Sequence, residues 1–518
     1  MLAQMRSRRS NGVLDDAPRT SLETGRPFGR ARTGPRRPIA LAVAAAALAA
    51  ACATNPVTGQ KQFVLMSEAE ELQIGQQLDG EVRNEMGVYN DPELQRYVED
   101  IGLRLARASH RPNLPWTFAI VDSPAVNAFA LPGGYIYVTR GILAYLNDEA
   151  ELAGVLGHEI GHVTARHAVE QYTRAGGTQL GLIVGSIFLP GMRPYGDLLG
   201  TGFGLLFLKY GREDELQADR LGVEYAARAG WDPGGVADML RTLSRLDETS
   251  GDRRGTPNWL STHPDPASRV AQIEPVIAGV ERSAETPDRT GRDEYLRRID
   301  GLLYGDNPRE GIVRGHEFLH PDLRFALRFP EGWEVRNSST QVVANLPGTR
   351  SYMVLQLLER PRGGSLEAVA LASMREAGFR AADGRPREIN GLEGWVGTFT
   401  GRMRDLGDVV ARAAFVRHDR QIYRLVGFAP RAEFDRIAGE VSESLVSFRP
   451  LDRREADAIR PNRLAIHTVR GGDTWQGIAQ GPGRGLVRAS TLAILNGFDP
   501  AEQPQPGDRV KIVVPGES

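Results

Sequence analysis

The sequence has few of the residues that would support several common classes of protein. It contains a single cysteine, Cys52, among 518 residues, which excludes an internal disulfide framework and a cysteine-based zinc ribbon. Its apolar runs fall short of the ~18 residues that predict a membrane-spanning helix. No helical repeat of about 34 residues is found, which excludes an array of tetratricopeptide repeats. Lysine is also scarce, because only Lys61, Lys209 and Lys511 accompany the many arginines.

Length and charge describe a globular chain of several domains. At about 150 residues per domain, the length predicts about three domains. The composition, 41% hydrophobic and 25% charged, is ordinary for globular proteins. The net charge is −2, but residues 1–51 hold nine arginines against Asp15, Asp16 and Glu23, a surplus of +6 that leaves −8 for the rest. A mildly acidic body argues against nucleic acid as a partner.

Residues 1–52 have the pattern of a lipoprotein signal segment. Arg36 and Arg37 precede an apolar run over residues 39–51, which as a helix would span only about 20 Å of a ~30 Å membrane core. This length is typical of a signal peptide. The run ends in small residues followed by Cys52, which resembles a bacterial lipobox and predicts lipidation of Cys52. Ala53, rather than aspartate, favours the outer membrane and a periplasm-facing protein. The alternative is an ordinary cleaved signal.

The next part of the chain combines helices and short strands. Apolar residues recur at helical spacing over residues 67–108, and residues 116–121 and 134–139 are typical of strands. Asp148 and Glu151 have the spacing of a capping box and predict that a long helix begins there. Another helix is predicted over residues 213–229. Residues 176–207 are apolar and rich in glycine; we interpret them as buried or substrate-covering helices, with a membrane hairpin as the alternative.

The strongest functional signal is VLGHEIGHV, which contains His158, Glu159 and His162. Two histidines at i and i+4 lie on one helical face, so both imidazoles can reach a single zinc ion. Glu159 then lies beside a water on that metal. The alternative is a helix with two unrelated histidines. His167 follows at a spacing that would place it opposite His158 in a continuous helix, so we do not assign it as a ligand.

A third ligand is predicted in YGREDELQADRLG. Glu215 and Asp219 are four residues apart and share a helical face. Glu215 would bind zinc, and Asp219 would accept a hydrogen bond from the free N–H of a ligand histidine. An exposed acidic helix is the alternative for this segment taken alone.

Five motifs in order resemble the HtpX/BepA/LoiP-like membrane-associated zinc metallopeptidases, which are gluzincins related to the CAAX prenyl proteases. They are NPVTGQKQFVLMSEAEE at 55–71, NAFALPGGYIYVTRGIL at 127–143, HExxH at 158–162, RxxExxAD at 212–219 and STHPDPASR at 261–269. The resemblance covers residues 55–275. It implies one zinc ion per chain, held by the two histidines of HExxH and by Glu215, with Glu159 as the general base. Because no chamber of several membrane spans is encoded, a prenyl-protein protease is disfavoured.

The resemblance also implies roles for residues around the metal. His263 would be an extra ligand, a catalytic oxyanion partner or a substrate contact, or else an ordinary loop histidine. Arg212 and Arg269 would anchor the site through carboxylates, with surface ion pairs as the alternative. Three ligands leave a fourth position for water, whose proton Glu159 would take and deliver to the leaving amine.

The strand over residues 134–139 is a candidate for substrate binding. If it lies at the edge of a sheet, an extended peptide can add to it as a further strand. Gly134, Tyr135 and Tyr137 would then contact the substrate. This mode tolerates many sequences and suits unfolded or misfolded chains. The alternative is a buried strand whose tyrosines serve packing.

The remaining sequence predicts two further units. Residues 313–450 have six strand-like stretches and one or two helices, and their RFPEGWEV segment resembles PsbP-like domains. Residues 466–515 resemble a LysM domain, which implies peptidoglycan as a partner, with packing alone as the alternative. The predicted organisation is α+β and consists of a signal segment (1–52), a tether (53–66), a zinc metallopeptidase domain (67–285), a linker (286–312), an α+β module (313–450), a second linker (451–465) and a LysM-like domain (466–515).

The sequence therefore predicts a lipid-anchored zinc endopeptidase of the bacterial cell envelope that removes misfolded or unassembled proteins. One alternative is a latent or chaperone-like assembly lipoprotein whose metal site is closed by His263. A second alternative is a hydrolase that cleaves peptidoglycan, although that class uses a different spacing of zinc ligands.

Overall fold

The computed structural model describes residues 52–174, 210–249, 259, 262–280, 289–338, 340–358, 361, 364–403 and 406–516. The chain divides into two compact units, Met1–Ala51 and Cys52–Ser518, and the described residues belong to the second. The signal segment up to residue 51 and the apolar stretch at 176–207 lie outside them. Among the helices that are described, none is both long and apolar enough to cross a membrane.

The first half of the described chain is mainly helical. Its elements are, in order, β1 (Cys52–Thr54), β2 (Lys61–Phe63), α1 (Glu68–Met86), α2 (Pro92–Ala108), β3 (Thr117–Val121), β4 (Ala128–Leu131), β5 (Tyr135–Thr139), α3 (Arg140–Tyr145), α4 (Glu149–Thr164), α5 (His167–Arg174), α6 (Arg212–Arg228), α7 (Gly235–Thr249), α8 (Pro266–Gly279) and α9 (Arg292–Ile299).

The second half is mainly β-structure. Its elements are, in order, β6 (Leu303–Tyr304), a 3₁₀ turn (Pro308–Glu310), β7 (Ile312–Arg314), β8 (Glu317–His320), β9 (Phe325–Arg328), β10 (Glu334–Asn337), β11 (Gln341–Asn345), β12 (Tyr352–Leu357), α10 (Leu366–Glu376), β13 (Phe379–Pro386), β14 (Gly394–Met403), β15 (Gly407–His418), β16 (Gln421–Pro430), α11 (Arg431–Leu445), β17 (Arg449–Pro450), α12 (Arg453–Asp457), β18 (Asn462–Thr468), α13 (Trp475–Gln480), α14 (Ala489–Leu495) and β19 (Arg509–Pro515). The predicted α+β class is confirmed.

The segment predicted to be a tether is packed against the body of the protein. β1 and β2 pair as an antiparallel hairpin. The buried Asn55 donates hydrogen bonds from its side-chain amide to the carbonyl of Ala165 at 3.2 Å and to Gln62 at 3.1 Å. Val64 and Met66 are buried. The prediction of a tether from composition differs from the structure because the contact that orders these residues lies about 110 residues away.

The small sheet of the first half has the order β3-β5-β4. β5 pairs in parallel with β3 and antiparallel with β4. The prediction that Gly134–Thr139 forms an edge strand is therefore wrong. The segment between the two predicted strands supplies β4, and this strand occupies the edge. Order within a sheet depends on these long-range pairings and cannot be read from the alternation of one strand.

Helices α4 and α6 approach each other closely along a glycine-lined contact. A Cβ placed on Gly157 would lie 3.1 Å from the Cα of Gly222, and one on Gly161 would lie 3.0 Å from the Cα of Ala218. Only residues without a bulky side chain fit at this distance. The contact fixes the two helices side by side, and it is these two helices that carry the predicted metal ligands.

The C-terminal unit, predicted at residues 466–515, shares a single hydrophobic core with the metallopeptidase part. Leu464, Trp475 and Leu492 belong to the same buried cluster as Leu156 and Tyr225. β18 pairs with both β19 and β6. The predicted linker 286–312 therefore supplies α9 and β6 to this common body. The segment is rich in charged residues, so its composition did not indicate that it buries Tyr295, Leu296 and Ile299.

Residues between β6 and β18 form a separate module of two antiparallel sheets. The large sheet has the order β10-β11-β12-β16-β15-β14-β13, and the small one β17-β9-β8-β7. Neighbouring residues of the large sheet face opposite clusters, as Val343 and Val354 do on the α10 side and Val342 and Met353 on the α11 side. The module is thus inserted between β6 and β18, which are paired strands of the common body.

Candidate metal centre

Two packed helices bring the predicted ligands together. α4 begins where the side chain of Asp148 accepts a hydrogen bond from the amide of Glu151 at 2.8 Å, as the capping pattern predicts. On its buried face, the Nε2 atoms of His158 and His162 lie 3.0 Å apart. The Glu215 carboxylate, on α6, lies 3.6 Å from Nε2 of His158 and 3.5 Å from Nε2 of His162.

A fourth side chain completes the cluster. His263, which precedes α8, places Nδ1 3.2 Å from Nε2 of His158 and 2.9 Å from the Glu215 carboxylate. One ligand atom from each of these residues and from His162 lies within 4.8 Å of all the others. All four side chains are buried. Neutral imidazoles whose ring nitrogens converge on one point need a cation there, so the residues fit a metal ion.

The ligand histidine His158 is oriented from behind by a carboxylate. Its Nδ1 donates to Asp219 at 2.9 Å, which leaves Nε2 as the metal-facing nitrogen. Arg269 contacts Asp219 through two nitrogens at 2.6 and 2.8 Å and Glu215 at 2.8 Å. Burial opposes ionisation of Asp219, but Arg269 and His158 outweigh it and hold the pKa of that carboxyl well below its usual range. The role predicted for Asp219 agrees with its position.

Glu159 faces the cluster with no hydrogen bond of its own. Both of its carboxylate oxygens are buried without a hydrogen-bond partner among the described residues, and Nε2 of His263 lies 3.6 Å from one of them. Burial, followed by the Glu215 carboxylate, raises the pKa of Glu159. A carboxylate in this state can accept a proton from a group that enters the site.

Sequence reasoning missed three aromatic groups of the site. Tyr210 stacks on His162 with ring centroids 3.9 Å apart, and Trp259 stacks on His263 at 4.7 Å. His167 lies beside His162, with their Nδ1 atoms 2.8 Å apart. The argument that had set His167 aside assumed one continuous helix, whereas α4 ends at Thr164 and α5 starts at His167.

Other predicted site residues lie elsewhere. Arg212 pairs with Asp265 at 2.9 Å on the surface, where 69% of its side chain is exposed, so it does not support the metal cluster as predicted. Tyr137 is fully buried and donates its hydroxyl to Asp79. Gly134, Tyr135 and Tyr137 belong to the central strand β5 and its entry turn rather than to a free edge, so their predicted role in strand addition is wrong.

A buried cluster of histidines and a carboxylate on two packed helices, with an unpaired glutamate beside it, defines the class of metal-dependent peptidases. Comparison with known proteins agrees. The model of Peptidase family M48 matches residues 92–277. The beta-barrel assembly-enhancing protease of Yersinia pestis is 31% identical over 360 residues, covering 65% of this chain and 72% of that protein. The chain therefore belongs to the M48 metallopeptidases.

Two further relatives match shorter stretches of the chain. The beta-barrel assembly-enhancing protease of Escherichia coli (strain K12) is 32% identical over 237 residues, which are 44% of this chain and 48% of that protein. The mitochondrial metalloendopeptidase OMA1 of Schizosaccharomyces pombe is 31% identical over 238 residues, 45% and 68% of the two chains. This chain thus spans about half the length of the Escherichia coli relative.

Among solved structures, cyanobacterial PsbP from Synechocystis overlaps 28% of this chain and 98% of its own at 12% identity. The TM-score of 0.23 is too low to support an inference about residues 313–450.

Proposed function

We propose that this protein is a zinc endopeptidase of the bacterial cell envelope that cleaves misfolded or unassembled proteins. The observation that carries the proposal is the convergence of His158, His162, Glu215 and His263 on one buried point, with the free carboxylate of Glu159 beside it. Relatives whose names associate them with β-barrel assembly support the envelope setting.

Nitrogen and carboxylate donors in a buried, compact set suit zinc. His158, His162 and Glu215 would hold the ion. When bound, zinc would polarise a carbonyl and a water molecule. The chain's own part is to hold Glu159 unpaired, so that its carboxylate receives the proton of the attacking water and passes it to the leaving nitrogen. Arg269 holds the pKa of Asp219 well below its usual range and fixes the Glu215 carboxylate through a contact at 2.8 Å.

The outer edge of β4, which pairs with no other strand among the described residues, is the proposed substrate groove. Thr139 donates its backbone N–H to the carbonyl of Asn127, so alternation leaves the backbone groups of Ala128 and Ala130 on the outer edge. Trp259 donates to the carbonyl of Val126 at 3.2 Å, which places this edge beside the segment that leads to His263. An extended peptide bound there would lie along the metal cluster.

A second candidate function is a latent or chaperone-like assembly factor. The observation that favours it is the position of His263, whose Nδ1 lies as close to the other ligands as they lie to one another. Four protein ligands close a zinc site, whereas a catalytic site keeps one position open. Movement of His263 away from the cluster would convert the closed site into an open one.

The cell-envelope partners form the third part of the proposal. Cys52 would carry the lipid that anchors the chain to the outer membrane, and the LysM-like unit would contact peptidoglycan. Membrane fractionation of Cys52→Ser and co-sedimentation of the purified chain with peptidoglycan test these two contacts separately. Recovery of Cys52→Ser in the same membrane fraction as the parent would rule out the anchor.

Zinc content and casein cleavage, measured together, test the proposed reaction. We expect the parent protein to hold about one zinc ion and cleave casein, and Glu159→Gln to hold zinc and lose cleavage by at least two orders of magnitude, because the proton acceptor is gone. A parent that binds no zinc would contradict the proposal.

His263→Ala separates the two functions. If the parent binds zinc without cleaving and His263→Ala cleaves, the protein is a latent protease. If neither cleaves casein, the chaperone-like function is favoured. Peptidoglycan incubated beside casein checks the remaining hydrolase class, because release of soluble glycan or peptide by the parent alone would support that class instead.

A further inference from the structure

His167 contacts a proposed ligand from the side away from the metal. Its Nδ1 lies 2.8 Å from Nδ1 of His162, and both rings are buried. Its other nitrogen, Nε2, lies 3.0 Å from the side-chain oxygen of Gln217 on α6. His167 therefore bridges the end of α4 to the neighbouring helix through both of its ring nitrogens.

The direction of these hydrogen bonds follows from the cluster. Nε2 of His162 faces the other ligands, 3.0 Å from Nε2 of His158 and 3.5 Å from the Glu215 carboxylate, so it must be free of a proton to bind a metal. Nδ1 of His162 then carries the proton and donates to Nδ1 of His167. His167 in turn carries its proton on Nε2 and donates to the oxygen of Gln217. This placement of the protons gives both Nδ1 atoms and Nε2 of His167 a hydrogen-bond partner and leaves Nε2 of His162 free for the metal.

A strained backbone residue brings His167 to this position. In a continuous helix, five residues would turn His167 by about 140° from His162. The chain instead stops α4, passes through Arg166 at φ 61° and starts α5 at His167. A non-glycine residue rarely adopts this conformation. Here Arg166 is held by Glu71 at 3.0 Å and by the carbonyl of Met66 at 3.2 Å.

We propose that His167 is a positioning residue for the metal, which fixes the ring orientation and the tautomer of His162. The inference rests on the proposed zinc site. It gives the two ligand histidines different partners, since His158 donates to the Asp219 carboxylate and His162 to a neutral imidazole. Removal of a partner of this kind typically weakens metal binding 10- to 100-fold.

Zinc affinity of the full chain, measured by competition with a chelator, tests the proposal. His167→Phe keeps a ring and loses the acceptor, so we expect zinc to bind 10- to 100-fold more weakly. His167→Asn places an amide oxygen near the position of Nδ1, so its affinity should return to within about threefold of the parent. His418→Phe is the matched control, because His418 is a buried histidine of the module and its Nε2 lies near backbone carbonyls; it should bind zinc like the parent.

Cobalt substitution provides the readout that a purely structural role would not change. The visible absorption of bound Co²⁺ should shift in His167→Phe and return in His167→Asn, while the thermal midpoint of the metal-free protein distinguishes loss of fold. Equal zinc affinities for the parent and His167→Phe would overturn the inference and leave the proposed function intact. A parent that binds zinc but cleaves nothing, with His263→Ala equally silent, would contradict the peptidase proposal and leave His167 in its role. A parent that binds no zinc would overturn both.

Discussion

At the scale of single residues, Arg269 shows how the site depends on a charge that touches no substrate. Its guanidinium is 1% exposed and contacts the carboxylates of Asp219 and Glu215. The face of the Trp259 ring lies 4.8 Å from its central carbon. Two buried carboxylates so close together would repel each other without this cation. Arg269 therefore stabilises the two buried carboxylates that contact the histidines of the cluster.

Replacing Arg269 with methionine should destabilise the protein strongly. The change leaves two buried carboxylates without their cation, which typically costs about 3–5 kcal/mol. The matched control is Arg212→Met, since the ion pair of Arg212 with Asp265 is exposed and such pairs contribute ~0–1 kcal/mol. Urea unfolding of the metal-free proteins measures both free energies. Similar losses in the two variants would contradict the argument.

The ion pair between Arg269 and Asp219 predicts how the parent's free energy of unfolding depends on pH. Because the folded protein holds the pKa of Asp219 well below its usual range, the unfolded chain binds this proton more tightly. The contribution is complete above the unfolded pKa of ~3.9 and is lost as pH falls towards the lower, folded value. In Arg269→Met this part of the acid dependence should disappear, which urea titrations between about pH 2 and 5 would detect.

The residues that could be predicted from the sequence are those whose spacing along one helix carries the chemistry. His158, Glu159 and His162, and separately Glu215 and Asp219, were identified this way. His167, Tyr210 and Trp259 could not be identified, because none of them lies on the two helical stretches whose spacing carried the prediction. The spacing between His162 and His167 became meaningful only with Arg166 in its left-handed conformation.

At the scale of elements, the distance between α4 and α6 sets the geometry of the cluster. α4 supplies the histidines and α6 the carboxylates, and the helices touch through Gly157 and Gly222. Any side chain added at this contact pushes the two sets of ligands apart. Stability and metal affinity should therefore change together when the contact is altered.

Gly157→Ala is expected to weaken both properties. Its Cβ would lie 3.1 Å from the Cα and carbonyl oxygen of Gly222, so the backbone must shift, at a cost of about 1–3 kcal/mol. Zinc should bind at least several-fold more weakly. Gly80→Ala is the matched control, because nothing lies within 4 Å of its Cβ position in α1; it should be stabilising by ~0.4–1 kcal/mol. Denaturant unfolding and chelator competition give the two readouts, and unchanged zinc affinity in Gly157→Ala would refute the link.

Prediction of elements succeeded where the pattern is local. Alternating residues indicated the central strands of the module, such as β12, β15 and β16, because each strand contacts one helix-covered cluster on either face. It predicted β5 as a strand but not its central place in the sheet, which depends on pairing with β4 as well as β3. It failed also for α9, because a helix rich in charge can bury a narrow stripe, here Tyr295, Leu296 and Ile299.

At the scale of the whole molecule, the C-terminal unit is part of the metallopeptidase body. Lys511 in β19 is fully buried, and its side-chain nitrogen donates to the carbonyls of Ala144 at 2.8 Å and Leu146 at 2.6 Å, just before α4 begins. Arg245 in α7 donates to the carbonyl of Gly497 at 2.7 Å.

Lys511→Met should therefore destabilise the metallopeptidase part itself. The variant keeps the apolar stem but leaves two buried carbonyls without a donor, which typically costs about 1–3 kcal/mol. Lys61→Met, at an exposed position of β2, should change stability by less than ~0.5 kcal/mol. A single cooperative loss of helical signal and of near-UV signal would show that the body unfolds as one. Unchanged stability of Lys511→Met would mean that apolar packing alone holds the units together.

The bond between Lys511 and Ala144 joins residues 367 positions apart, and this separation orders events during synthesis. The helix that carries the histidines leaves the ribosome long before the strand that completes its surroundings. Closing so long a stretch of chain is slow compared with forming a helix. The surroundings of α4 are therefore completed only once β19 has been made, well after the helix itself can form.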